Sequence, residues 1–176
     1  MKQVTLNGLT MEIATGDISD QPDCDAIVNA ANAELRIGGG VAGAIHSKGD
    51  PELTEATRKY APIKPGEAVI TPAHNLPNEY VIHCLGPVYG RDKPEEELLE
   101  NCYINALKLA EENEIESIVF PAISTGAFGY PMEEAAKIAF NSVKKLAGTF
   151  KHVKFVRFVL FSASDYNLHL EVLKEL

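Results

Sequence analysis

Short apolar runs alternate with polar stretches rich in glycine and proline along the whole chain. Val4-Thr5-Leu6 and Thr10-Met11-Glu12-Ile13 flank Asn7-Gly8. That pair tolerates positive φ at both central turn positions, so the segment predicts a two-residue β-hairpin. Ala26-Ile27-Val28 is apolar without alternation, as in a strand buried on both faces. Residues 68–71, 80–84, 117–120 and 153–161 predict further strands, the last one interrupted by Arg157. Between them the period changes. Residues 95–112 place Leu99, Cys102, Tyr103, Ala106 and Ala110 on one helical stripe. Glu95, Glu96, Glu97 and Glu100 suit the positive end of that helix. Residues 133–147 follow Pro131, precede Gly148 and carry Lys144 and Lys145 in the last turn, which predicts a second helix. Residues 41–48 and 168–176 predict two more. Strand–helix alternation behind a leading hairpin implies a mixed α/β sheet with helices on both faces. No linker or repeat divides the chain, so one domain spanning 1–176 is expected. Lys48-Gly49-Asp50-Pro51 marks a helix break, and residues 50–65 carry no clear pattern.

Composition narrows the function. A chain of 176 residues buries roughly 70% of its unfolded surface and needs no metal or disulfide to hold together. Its net charge of −9 opposes binding to a nucleic-acid backbone, which favours a basic face. Cys24, Cys84 and Cys102 are odd in number and lack CxxC spacing, which fits a reducing cytoplasm better than a disulfide framework or zinc site. The first residues lack an apolar signal core, and no apolar stretch is long enough to span a bilayer. A cytoplasmic protein without membrane partners is expected. The five His show no metal-ligand spacing, so no metal is expected. His83 and Cys84, adjacent on a strand, face opposite ways. No Gly-x-Ser-x-Gly elbow or Ser/His/acid set is evident.

In α/β sheets ligands bind beyond the carboxyl ends of strands, and the unusual sequence falls there. Ala26-Ile27-Val28-Asn29-Ala30-Ala31-Asn32 ends a strand in amides. Gly38-Gly39-Gly40-Val41-Ala42-Gly43 then opens a helix. Glycines admit close backbone approach, and a helix start offers unpaired N–H groups to an anion. A glycine triplet alone is also a common surface turn. Gly38-x-Gly40-x-x-Gly43 is a literal dinucleotide fingerprint, which suggests an NAD-dependent oxidoreductase. Its first glycine stands too far beyond the strand, however, and the ribose-binding acid is missing. Pro121-Ala122-Ile123-Ser124-Thr125-Gly126-Ala127-Phe128-Gly129 also joins a strand to a helix. Here Phe128 is either a ligand contact or a buried connector residue. Asp17 in Gly16-Asp17-Ile18 is able to accept a proton from a base amino group, or it is simply solvated.

Taken in order, Gly16-Asp17-Ile18, AIVNAAN (26–32), GGGVAGAI (38–45), VIHCLGP (81–87) and PAISTGAFG (121–129) resemble the macro domain family, which binds ADP-ribose. The resemblance covers nearly the whole chain. It implies a three-layer α/β/α sandwich with a mixed central sheet and a ligand cleft over the sheet. It also implies roles. Asp17 accepts from the adenine amino group, with Ile18 beside the ring. N–H groups of Val41, Ala42, Gly43, Ser124, Thr125, Gly126, Ala127 and Phe128 clasp the pyrophosphate. Asn32 holds the distal ribose near Gly38, Gly39 and Gly40, and Phe128 orients it. Phe161 packs on adenine, with Tyr166 as the second candidate.

A hydrolase branch of the family carries Asp directly after Gly-Gly-Gly-Val. This chain has Ala42 there and looks like the Gly-Gly-Gly-Val-Ala branch of some viral and archaeal members. Within that branch some members remove ADP-ribose from acidic side chains and others only bind it. The resemblance therefore implies an ADP-ribosyl hydrolase acting at C1″ of the distal ribose, on mono-ADP-ribosylated Asp or Glu or on ADP-ribose 1″ derivatives, without a cofactor, with Asn32, Phe128 and Gly40 as catalytic residues. A ligand phosphate and a loop N–H would hold the water. The implied partner is ADP-ribose or an ADP-ribosylated protein. The rival reading is a non-catalytic reader of the same ligand.

Overall fold

Asn7 and Gly8 adopt φ of 47° and 86°, the left-handed geometry of a tight hairpin turn. In the computed structural model, which describes residues 1–176, they join β1 (Lys2–Leu6) to β2 (Leu9–Thr15). The remaining strands are β3 (Ala26–Ala30), β4 (Ala68–Pro72), β5 (Tyr80–Cys84), β6 (Ser117–Phe120) and β7 (Phe155–Leu160). They form one seven-stranded sheet in the order β1-β2-β7-β6-β3-β5-β4. The edge strands β1 and β4 pair antiparallel with their neighbours, and β2, β7, β6, β3 and β5 run parallel. The carboxyl ends of all five central strands thus open on the same rim.

Period-two alternation sorts the strand residues into two cores. Ala26, Val28, Ile118 and Phe120 face α3 (Glu95–Glu112), α4 (Met132–Leu146) and α5 (Ala163–Leu173), in the core that also holds Leu99, Tyr103, Phe140 and Val172. Ile27, Val81 and Val119 face the other way, against Ile45 of α1 (Gly40–Gly49) and Leu53 of α2 (Glu52–Thr57). The result is the expected α/β/α sandwich. Phe158 anchors the larger core, with its ring stacked 5.6 Å from Phe120 and set edge-on 5.2 Å from Phe140. Such aromatic pairs add about 0.5–1.5 kcal/mol beyond their buried area. No helix is long and apolar enough to cross a membrane.

The terminal helix differs from expectation. It spans Ala163–Leu173, not 168–176, because the Ser162 side chain accepts from the Asp165 N–H and caps it. Residues 50–65 hold α2 and a 3₁₀ turn at Arg58–Tyr60. Their seating is polar. The Thr57 hydroxyl donates to the Leu35 carbonyl (2.7 Å), and the Ile63 N–H to that of Ala33 (3.0 Å).

His83 and Cys84 point to opposite faces. The Asn29 amide lies 3.1 Å from His83 Nδ1 and Thr71 Oγ1 lies 3.0 Å from Nε2. Burial pushes the ring pKa down to about 3, so His83 is a neutral structural group. The three cysteines are free and buried. Desolvation pushes Cys24 up to about 11 and Cys102 up to about 12, so neither supplies a thiolate at neutral pH.

Candidate functional site

Each parallel strand contributes residues just past its carboxyl end. Gly16, Asp17 and Ile18 follow β2, and Asn32 follows β3. Gly86 follows β5, the 121–128 loop follows β6, and Phe161 follows β7. Together with the start of α1 they line two compartments that share Gly40, Val41, Ala122 and Gly126 as a common wall. Their volumes are about 430 and 300 Å3, in the range of small-molecule sites. A larger open groove between α2 and the edge strand β4 lies away from these strand ends.

The first compartment has an apolar floor of Ile18, Val41, Val159 and Leu160, with Asp17, Met132, Phe161 and Asp165 around it. Phe161 is 94% exposed, which for a large aromatic at a cleft rim leaves a free face. Tyr166 packs instead against the main core and does not line this compartment. One carboxylate oxygen of Asp17 accepts from the Ser19 hydroxyl (2.7 Å) and N–H (2.8 Å). These bonds hold its pKa below the usual carboxylate value, and the second oxygen makes no hydrogen bond within the chain. Asp17 is therefore an ionised acceptor at neutral pH with one oxygen available.

The wall between the compartments is lined with N–H groups. Helix α1 starts at Gly40 with neither a side-chain cap at Gly39 nor an acid in its first turn. The N–H groups of Gly40, Val41 and Ala42 have no backbone acceptor, as first-turn groups must. In the 121–128 loop, Ser124 sits at φ 67° and its carbonyl accepts from the Tyr130 N–H (2.9 Å). This leaves the N–H groups of Ser124, Gly126, Ala127 and Phe128 without backbone acceptors. The Ser124 hydroxyl is buried and also lacks a partner. Unpaired N–H groups beside a helix start favour an anion.

Two expected donors are otherwise engaged. The Gly43 N–H donates to the Gly39 carbonyl (3.2 Å), the first bond of α1, and Gly43 lines neither compartment. Its glycine character is explained by packing, since a Cβ there would meet the Gly38 carbonyl oxygen at 2.5 Å. The Thr125 N–H (3.4 Å) and hydroxyl (2.7 Å) both turn to the Ala122 carbonyl. Thr125 still lines the first compartment.

The second compartment holds Asn32, Gly38, Gly39, Gly40, Ser124, Ala127 and Phe128. Asn32 Nδ2 donates to the Arg36 carbonyl (2.7 Å) and Oδ1 accepts from the Arg36 N–H (3.2 Å). One amide hydrogen and one lone pair remain for a ligand. Phe128 is half-buried against Ala31, Leu35, Ile63 and Leu85, and its carbonyl accepts from the Tyr89 N–H (2.8 Å). It is thus both packed and presented to the cavity. Gly86, unassigned from the sequence, backs this loop. A Cβ there would collide with Ser124 Oγ and Ile123 Cγ2. It lies within the VIHCLGP motif, to which the sequence reading gave no role. Asp165 and Met132 at the other end were likewise missed, because they lie just before the helices expected at 168–176 and 133–147 and interrupt no pattern. No ionisable side chain lines the second compartment.

Comparison with known proteins identifies the family. The macro domain family profile matches residues 28–139. A macro domain-containing protein of Caldanaerobacter subterraneus is 46% identical over 94% of this chain and 97% of its own length. An O-acetyl-ADP-ribose deacetylase of Salmonella newport is 44% identical over 94% of each chain. A variant of the Oceanobacillus iheyensis macrodomain, solved with ADPR, superposes with a TM-score of 0.93 at 40% identity, over 99% of this chain and 97% of that one. The chain belongs to the macro domain family.

Proposed function

We propose that the cleft binds ADP-ribose and that the chain hydrolyses carboxyl esters at C1″ of its distal ribose. The observation that carries this is the row of unpaired N–H groups set between an apolar compartment with an ionised carboxylate and a neutral, glycine-lined one. Adenine would lie in the first compartment against Asp17 and Phe161, the pyrophosphate along Val41, Ala42 and the 124–128 loop, and the ribose beside Asn32 and Phe128. The names of the Salmonella and Oceanobacillus relatives point to the same ligand class.

The leaving group follows from the chemistry of the distal wall. With no ionisable side chain there, the protein has no general acid at hand. A carboxylate departs without a proton, whereas an amine or guanidine needs one. Water attacks C1″, the C1″–O bond breaks with its electron pair going to the carboxylate, and the proton of the water passes to a ligand phosphate or to solvent. The products are ADP-ribose and a free Asp or Glu side chain. Orientation by Asn32, Gly40 and Phe128 supplies the advantage, and well-positioned reactants gain about 7 kcal/mol or more in the best model systems. Calorimetry with ADP-ribose, followed by a release assay on mono-ADP-ribosylated protein with the same sample, tests both halves. Binding with release from carboxyl esters is expected. A substrate that stays fully modified under excess protein refutes the hydrolase half. It would leave the reader function, which Ala42 and the neutral distal wall favour.

Asp17→Ala is expected to weaken ADP-ribose binding about ten- to a hundredfold, since hydrogen bonds to charged groups contribute about 1.5–3 kcal/mol. Calorimetry reads this directly, and unchanged affinity would remove adenine from Asp17. Because Ser19 lowers the Asp17 pKa, wild-type affinity stays level from pH 8 to 5. It then falls only as the carboxylate protonates at still lower pH.

Neither compartment contains Lys or Arg. ADP-ribose affinity is therefore expected to change less than about twofold between low and moderate salt, unlike binding driven by counterion release or exposed charge pairs. Titrations at several ionic strengths check this. A steep dependence would mean that a basic side chain holds the phosphates.

A further inference from the structure

The loop that carries Asp17 is fixed from behind by a side chain that does not itself line the cleft. Gln21 is buried (8% exposed), and its Nε2 donates to the Asp17 carbonyl at 2.8 Å. Its Oε1 accepts from Arg157 Nη1 at 2.8 Å, which settles the amide orientation, because the guanidinium only donates. Arg157 is itself held by Asp23 through two bonds (2.9 and 2.7 Å) and by Glu12. The Gln21 carbonyl accepts from Asn78 Nδ2 (2.8 Å). Gly16 lies close by, where a Cβ would sit 3.5 Å from Gln21 Nε2 and 3.3 Å from Val159 Cγ2. Ser19 orients the Asp17 carboxylate, and Gln21 orients the backbone from which it projects.

We infer that Gln21 is a positioning residue for purine recognition, relaying the rigidity of the Arg157 ion cluster to the Asp17 carboxylate. The inference rests on the assignment of adenine to Asp17. Gln21→Glu tests it, because the carboxylate keeps the size and the Arg157 contact but turns the bond to the Asp17 carbonyl into a repulsion between two acceptor oxygens. Gln21→Met removes both bonds. The readout is the ratio of affinities for ADP-ribose and its hypoxanthine counterpart, in which the amino group is replaced by a carbonyl oxygen. Taking the ratio cancels effects on the rest of the cleft, and thermal unfolding is followed in parallel.

Wild type is expected to prefer the adenine compound by about tenfold or more, in line with a charge-assisted hydrogen bond. In Gln21→Glu the preference falls by at least roughly fivefold, the scale of one neutral hydrogen bond, with the repulsion adding to that loss. Gln21→Met loses the preference to a similar or greater extent. A wild-type preference that survives unchanged in both variants overturns the role of Gln21 and leaves the Asp17 assignment standing. Absence of any preference in wild type overturns the Asp17 assignment, and this inference with it. A Gln21→Glu chain that loses stability but keeps its preference also overturns the inference, because the residue would then be structural only.

Discussion

Arg157→Met lowers the stability of the fold by about 3–5 kcal/mol, the usual cost of stranding one member of a buried ion pair. For a domain of this size the midpoint of thermal unfolding falls on the order of 10 °C. Arg157 on β7 stands in register with Glu12 on β2, and Glu12 is only 2% exposed. The guanidinium bonds Glu12, Gln21 and both oxygens of Asp23, and it lies 5.2 Å from the Phe155 ring centroid. Lysine has no planar fork to reproduce that set, so Arg157→Lys recovers only part of the loss. The burden falls on Glu12, because Asp23 is largely exposed and rehydrates once Arg157 is gone. Glu12 keeps only the Gln3 amide (2.8 Å).

One control separates this explanation from simple loss of packing. Replacing Glu12 by Leu in the Arg157→Met background removes the orphaned charge and should restore most of the stability. Urea unfolding of the single and double variants measures this. A single variant that loses less than about 1 kcal/mol would show the cluster to behave like an exposed pair.

From the sequence, Arg157 was visible only as an interruption in an apolar strand. Its partner Glu12 lies far away along the chain, and nothing local ties the two positions together. Gln21 and Gly86 were illegible for the same reason. One acts through a hydrogen bond from its side-chain amide to a loop carbonyl, the other through the space its missing side chain leaves for Ser124. What could be read depended on local physics. Asn7-Gly8 determines its own turn, the apolar stripe of 95–112 marks a helix that the structure bounds at the same residues, and strand ends locate the cleft. Asp17, Asn32 and the glycine run were legible because they interrupt the pattern just past those ends. Gly43 exposes the limit of that approach. The sequence placed it at a helix start, but whether an N–H there faces a ligand or closes the first helical bond depends on one residue of register. The start of α5 was missed because its signal is a cap at Ser162, not a periodic stripe.

Asn32→Ala is expected to slow ester hydrolysis at the distal ribose by about a hundredfold, the scale of a small misplacement of a reacting centre, while ADP-ribose affinity falls less than about tenfold. The asymmetry follows from where Asn32 acts. The ligand anchors assigned to Asp17, the α1 start and the 124–128 loop all remain, so ground-state binding is largely kept. What goes is the group proposed to hold the ribose as C1″ develops positive charge, and with it the two bonds to Arg36 that set the 32–36 turn. Gly38 packs against the same amide, where a Cβ would lie 3.0 Å from Nδ2, so the glycine run also loses its support. Asn32→Asp divides the two contributions. It can still accept from the Arg36 N–H but has no hydrogen for the Arg36 carbonyl or a ribose oxygen. Single-turnover release from a carboxyl-linked substrate, read beside calorimetry, distinguishes the outcomes. Equal losses in rate and affinity would make Asn32 a binding residue, and an unchanged rate would place the chemistry elsewhere in the cleft. A rate lost while binding persists is the result that a site without any ionisable group on its distal wall requires, because there orientation has to do what an acid or base does elsewhere.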